Sequence, residues 1–195
     1  MSVRKAAVCL CRRVCAMALA SGLLATGTAG AQTTVALPDT GQATTLTAAV
    51  AEQARVTVPA SISFSVSDVN ASTTQGSVAI AVQNIVLGTA TKQLRISLSG
   101  NAASFTPPVA GATTWSASDV SWTAGPGGGP NAWQNAIGSA GTLSSVAFNT
   151  VATCDPDATS CSIAKLSFTL AAKPTVKRSG AHTLTVTWRF ESIGT

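Results

Sequence analysis

The sequence contains no tyrosine, one histidine and two methionines, and only 10% of its residues are charged. Each shortage excludes something. His182 and a few cysteines cannot supply the four ligands of a zinc site. A Ser–His–Asp arrangement would need His182 as its base, and no G-x-S-x-G elbow presents a nucleophile; Gly138-Ser139-Ala140-Gly141 has the wrong spacing. His182 is expected instead as a solvent-facing residue at a strand start. The glycine-rich run at 125–130 is not followed by the Gly-Lys-Ser/Thr of a phosphate loop. Seven acidic residues, most of them at turns or strand ends, leave few pairs for glycoside hydrolysis. The expectation is a chain that is not an enzyme and carries no cofactor and no metal.

Basic residues outnumber acidic ones by 12 to 7, a formal charge of +5, but the excess is local. Arg4, Lys5, Arg12 and Arg13 open the chain, an apolar run extends from Val14 to Ala25, and Ala29-Gly30-Ala31 is a small-residue cleavage site before Gln32. This is the layout of a secretory signal peptide over residues 1–31. Its apolar run is too short for a membrane span, so no transmembrane segment is expected in the mature chain. Without the leader, eight basic residues face seven acidic ones. A net charge of +1 gives no electrostatic footprint for nucleic acid. Lys173, Lys177 and Arg178 form a modest basic stretch, read as a solvated turn.

Three of the five cysteines lie in the leader, leaving Cys154 and Cys161. In an oxidising compartment two cysteines with six residues between them read as one disulfide closing a short loop. Asp155 and Asp157 inside that loop are the best candidates for a hard cation such as calcium. Asp155-Pro156-Asp157 reads first as turn chemistry capping the hairpin.

What is abundant is small and β-branched. Alternation with a period of two recurs through the 164 residues from Gln32. Leu94, Ile96 and Leu98 share a face, as do Val78, Ile80 and Val82, Leu166, Phe168 and Leu170, and Leu184, Val186, Trp188 and Phe190. Further strands are expected at Thr44–Val50, Arg55–Val58, Ile62–Val66, Val120–Thr123 and Ser144–Val151. Residues 124–142 are too rich in glycine and proline for a regular strand and read as a long surface loop. No helical stretch is convincing. The fold class expected is all-β, an antiparallel β-sandwich with a barrel as the alternative. Its parts are an arm or first strand over 32–50 and a sandwich domain over 51–195.

Trp188 is expected in the core, on the apolar face of the last strand. Trp115, Trp122 and Trp133 flank the glycine-rich stretch, and are candidates for stacking on sugar rings or anchoring a protein partner. The competing reading has them covering the open end of the sandwich.

An exported β-sandwich with few charges, whose last strand Thr183–Phe190 ends almost at the terminus, resembles bacterial chaperone–usher fimbrial subunits. The resemblance implies an immunoglobulin-like or pilin-like sandwich. It also implies that a short N-terminal arm of alternating apolar residues completes the sheet of a neighbouring subunit. Val35, Leu37, Leu46, Ala48 and Val50 would form that arm here. The chain departs from those subunits in its late disulfide and in having Ser192-Ile193 where they carry a C-terminal tyrosine. The function expected is a secreted, periplasmic or cell-surface structural or adhesive protein. Its partners would be itself or related surface subunits. The alternative is a glycan- or protein-binding module using the loop tryptophans.

Overall fold

The computed structural model describes residues 37–38, 41, 43–75, 78–123 and 132–194. The expected leader, Val35 of the arm and the glycine run at 125–130 lie outside them. The compact unit Ala48–Thr195 is built from ten strands. They are β1 (Gln53–Thr57), β2 (Thr73–Thr74), β3 (Val78–Val86), β4 (Gln93–Gly100), β5 (Val120–Thr123), β6 (Ala136–Gly138), β7 (Gly141–Thr142), β8 (Asn149–Cys154), β9 (Cys161–Leu170) and β10 (Val186–Ile193). A single 3-10 turn, Ala117–Asp119, leads into β5. Among the described residues no helix is long and apolar enough to cross a membrane.

Every pairing is antiparallel. One sheet runs β1-β3-β9-β5-β7, with β2 also on β9; the other runs β10-β4-β8-β6. The two pack face to face as a β-sandwich, and the alternating apolar residues meet between them. Ile80, Val82, Ile163, Leu166 and Phe168 come from the first sheet, Leu94, Ile96, Leu98 and Val151 from the second, all buried.

Two strands depart from simple alternation for local reasons. In β9 the buried set changes phase, from Cys161 and Ile163 to Leu166, Phe168 and Leu170, with Ala164 and Lys165 both exposed. Val78 pairs with Leu166 while Ile80 pairs with Ile163, so β9 spends one extra residue there, a bulge that keeps both apolar sets facing inward. In β4, Ser97 and Ser99 are as buried as the leucines beside them. Their outer face is covered because Ser97 pairs with Arg189, whose guanidinium lies 4.3 Å from the ring centre of Phe148.

The stretch 124–142, expected as one loop, contains β6 and β7 in its second half. β6 pairs with β8 of the other sheet. β7 pairs instead with β5, where Gly141 lies opposite Trp122 and the indole occupies the space a side chain would need. A Cβ on Gly141 would stand 2.5 Å from that ring. Conversely, Ile62–Val66 makes no ladder, although Ile62, Phe64 and Val66 are half-buried and the serines between them exposed. Thr44–Val50 forms no strand either. The strand expected over Ser144–Val151 begins later, at Asn149.

The Cys154–Cys161 disulfide is present. It joins the end of β8 to the start of β9, and so ties the two sheets together. Near it the chain changes sheets: Gln134 bridges to Ser162 of β9, then Ala136 and Ile137 pair with Cys154 and Thr153 of β8. The flank formed by β5, β6, β7 and β8 is therefore laced shut.

Candidate functional site

The opposite flank differs. Sheet edges are vulnerable because their backbone donors and acceptors have no partner. Three of the four edges here are short: β7 has two residues, β6 three and β1 five. The fourth, β10, has eight residues, pairs only with β4 and lies at the border of its sheet.

The hydrogen bonds around β10 show which of its residues face the free side. Asn101 N–H donates to the Thr185 carbonyl, and Thr106 and Thr183 exchange both backbone bonds, at 2.7 and 3.0 Å. Odd-numbered residues thus point their backbone groups toward β4. In a strand the even-numbered ones then point theirs the other way, so Val186, Trp188 and Phe190 direct theirs outward. Their side chains, with that of Leu184, lie on the core side, yet all four are only half-buried. Trp188, expected in the core, is in fact at the lip of the sandwich.

A groove follows this edge in two sections of about 460 and 770 Å³. Val58–Phe64 forms one wall of the first section and Leu184–Trp188 the other, with Leu98, Val120 and Phe168 at its floor. The second section shares Ile62, Phe64, Phe105 and Leu184 with the first, and continues over Trp115 and Leu170 to Lys177, Arg178 and His182. At the far end of β10 the start of β1 comes close. The Lys92 ammonium (2.7 Å), the Gly88 N–H and the Ser192 hydroxyl hold the Glu52 carboxyl below its ordinary range.

His182 is not a free surface residue. Its Nε2 is 3.1 Å from the Arg178 carbonyl, which only accepts, so Nε2–H donates. Nδ1 lies 2.7 Å from the Thr114 hydroxyl, and the ring stands edge-on to Trp115. The histidine thereby fixes the 177–182 turn as the rim of the groove. Lys173, read as part of a solvated turn, instead bonds Asp119 Oδ2 at 2.6 Å. Burial alone would raise the Asp119 carboxyl, but the Lys173 ammonium and the Ser116 N–H outweigh it and hold the group low.

The three candidate tryptophans are placed inward. Trp115, Trp122 and Trp133 are buried, at 5%, 2% and 9% exposure. Trp115 donates its indole N–H to the Ala171 carbonyl and Trp122 to that of Ser139. Sugar stacking needs an accessible ring face, and these rings are packed into the core. Leu37, Leu46 and Val50 of the expected arm are strongly exposed, at 87%, 92% and 73%; Ala48 is exposed too. Among the described residues no three His, Cys, Asp or Glu side chains converge as a metal centre would require.

Sequence patterning puts Leu184, Val186 and Trp188 on one apolar face, with Trp188 in the core. The other wall was visible as Ile62-Ser63-Phe64-Ser65-Val66 and was assigned to a strand. Alternation reports which side chains are apolar; it does not say whether the backbone has a partner. Compared with known family models, characterised proteins and solved structures, the chain matches none.

Proposed function

We propose that this chain is a non-enzymatic, exported structural or adhesive protein of a bacterial surface, which assembles by accepting an extended segment of a second copy along β10. One observation carries the reading: among the described residues an eight-residue strand has one edge without a paired strand and borders an apolar groove whose other wall makes no ladder. An added strand satisfies such an edge and seats alternate side chains in the groove. The occupant is the segment 43–50, which is extended, without ladder bonds and exposed. Its apolar residues Leu46, Ala48 and Val50 have the same spacing of two as Leu184, Val186 and Trp188. Secretion, expected from the leader, places the protein where such assembly serves a surface.

The test is deletion of residues 32–50 from the mature chain, followed by size-exclusion chromatography with light scattering. Loss of high-mass species, and pairing of the shortened chain into a dimer by a peptide carrying two copies of 43–50 in tandem, is the expected result. An unchanged size distribution refutes strand addition. The glycan-binding alternative retains no support from the tryptophans, whose rings are in the core.

A further inference from the structure

We infer that Cys154 and Cys161 are oxidised on the unfolded chain, by exchange with a disulfide-bearing oxidant, before the two sheets meet. In the folded protein both residues are 1% exposed, and each is held in a ladder, Cys154 opposite Ala136 and Cys161 opposite Val82. Exchange requires a thiolate to approach a sulfur along an open path, and the closed sandwich offers none. The unfolded chain does. Only six residues separate the cysteines, and closure of so short a loop takes well under a microsecond. Its turn is local as well: Ala158 N–H donates to the Asp155 carbonyl, and Asp157 adopts φ 57°.

The loop also determines what kind of oxidant is needed. Asp155 adjoins Cys154 and Asp157 lies three residues on. Their negative charges repel anionic oxidants such as oxidised glutathione. The reaction therefore suits a thiol–disulfide oxidase whose own disulfide is not surrounded by negative charge. One cysteine thiolate attacks a sulfur of the oxidant's disulfide, forming a mixed disulfide and expelling one oxidant thiolate. The second cysteine attacks the chain's own sulfur in that bond and expels the other. The chain loses two protons and two electrons, and the oxidant disulfide gains them as a dithiol.

The experiment compares thiol exposure in the folded and unfolded chain. Oxidised protein is treated with dithiothreitol with and without concentrated urea, and free thiols are counted by maleimide labelling and mass spectrometry. Reduction at least about a hundredfold slower without urea is expected, because access then follows the rare opening of the fold; rates within about threefold of each other overturn the inference. In parallel, the reduced chain is transferred from urea to buffer before oxidised glutathione is added. A folded reduced chain that oxidises as fast as the unfolded one also overturns it. Asp155→Asn with Asp157→Asn should speed oxidation of the urea-unfolded chain by glutathione about threefold, and less in high salt. Equal rates would remove the carboxylates, and with them the case for a specialised oxidase.

Discussion

Proline placed along β10 separates the sheet's internal bonds from the ones it offers outward. Val186→Pro removes an N–H that points away from β4, since Thr185 on one side of it is bonded toward the 101–106 segment. Proline is tolerated on an edge strand when its missing N–H faces outward. No ladder bond is lost, Thr185 is already extended as a residue before proline must be, and half-buried Val186 gives up part of its packing. The cost should stay near about 1 kcal/mol, or about 2 to 4 °C in melting temperature for a domain of this size. Thr187→Pro is the control. Thr187 pairs with Ser99 and its N–H points inward, so proline there leaves a buried acceptor unsatisfied. That costs about 2 to 3 kcal/mol and about 5 to 10 °C. Assembly should respond in the opposite sense to stability: Val186→Pro folds almost normally but no longer forms high-mass species, because the first outward donor is gone. Circular dichroism melts and light scattering on the two variants measure both effects. If Val186→Pro assembles like the parent chain, β10 is not the docking edge; if it melts lower than Thr187→Pro, the assignment of inward and outward groups is wrong.

Gly141→Ala should destabilise by about 1 to 2 kcal/mol, visible as a lower melting temperature and an altered near-ultraviolet tryptophan signal. The new Cβ would stand 2.5 Å from the Trp122 ring, and this overpacking outweighs the about 0.5 kcal/mol that alanine gains through the unfolded chain. Replacing both cysteines by serine should cost about 2 to 3 kcal/mol in urea titrations, the loop-closure value for an eight-residue ring. Lys173→Met should cost about 1 kcal/mol near neutral pH, discounted for its quarter-exposed partner. Asp119 is held below its ordinary 3.8, so the stability it contributes is complete above that value and is lost as pH falls through the lower folded one. The difference between Lys173→Met and the parent should therefore shrink in melts at about pH 2.5; a constant difference would contradict the ion pair.

The sheet strands were legible because a half-buried strand must alternate. Val78–Val82, Leu94–Leu98, Leu166–Leu170 and Val186–Phe190 each show the period in consecutive residues, and Val120–Thr123 has the bounds of β5. What was not legible depends on contacts distant in sequence. The phase change in β9 is visible only once Val78 and Ile80 are paired with it. β7 rests on the indole opposite Gly141 and β6 on pairing with β8, relations hidden inside a glycine-rich stretch. The tryptophans admit two readings in sequence, stacking sites or a cover for the sandwich, because the carbonyls that draw Trp115 and Trp122 inward, at Ala171 and Ser139, are distant in the chain. Of the groove, the sequence carried both walls and neither the gap between them nor the free edge.

The two flanks of the sandwich answer the same physical problem in opposite ways. Both leave sheet borders that water and other chains can reach. On one side a strand that changes sheets, two very short edge strands and a covalent bond between β8 and β9 consume the backbone groups and fix the spacing of the sheets. On the other, β10 and the ladder-free stretch Val58–Val66 turn half-buried apolar residues toward a space neither fills. The pairing of β4 with β10 is complete over eight residues, and among the described residues no strand pairs with the other side of β10. A single additional strand would satisfy the edge of β10, cover Trp188 and Leu184, and give Ile62–Val66 the partner its pattern requires. On the proposed assembly the exposed Leu46 and Val50 of the 43–50 segment would be buried in the same step. The closed flank ties the sheets together on one side, so the proposed strand would add on the other without having to hold the sandwich closed.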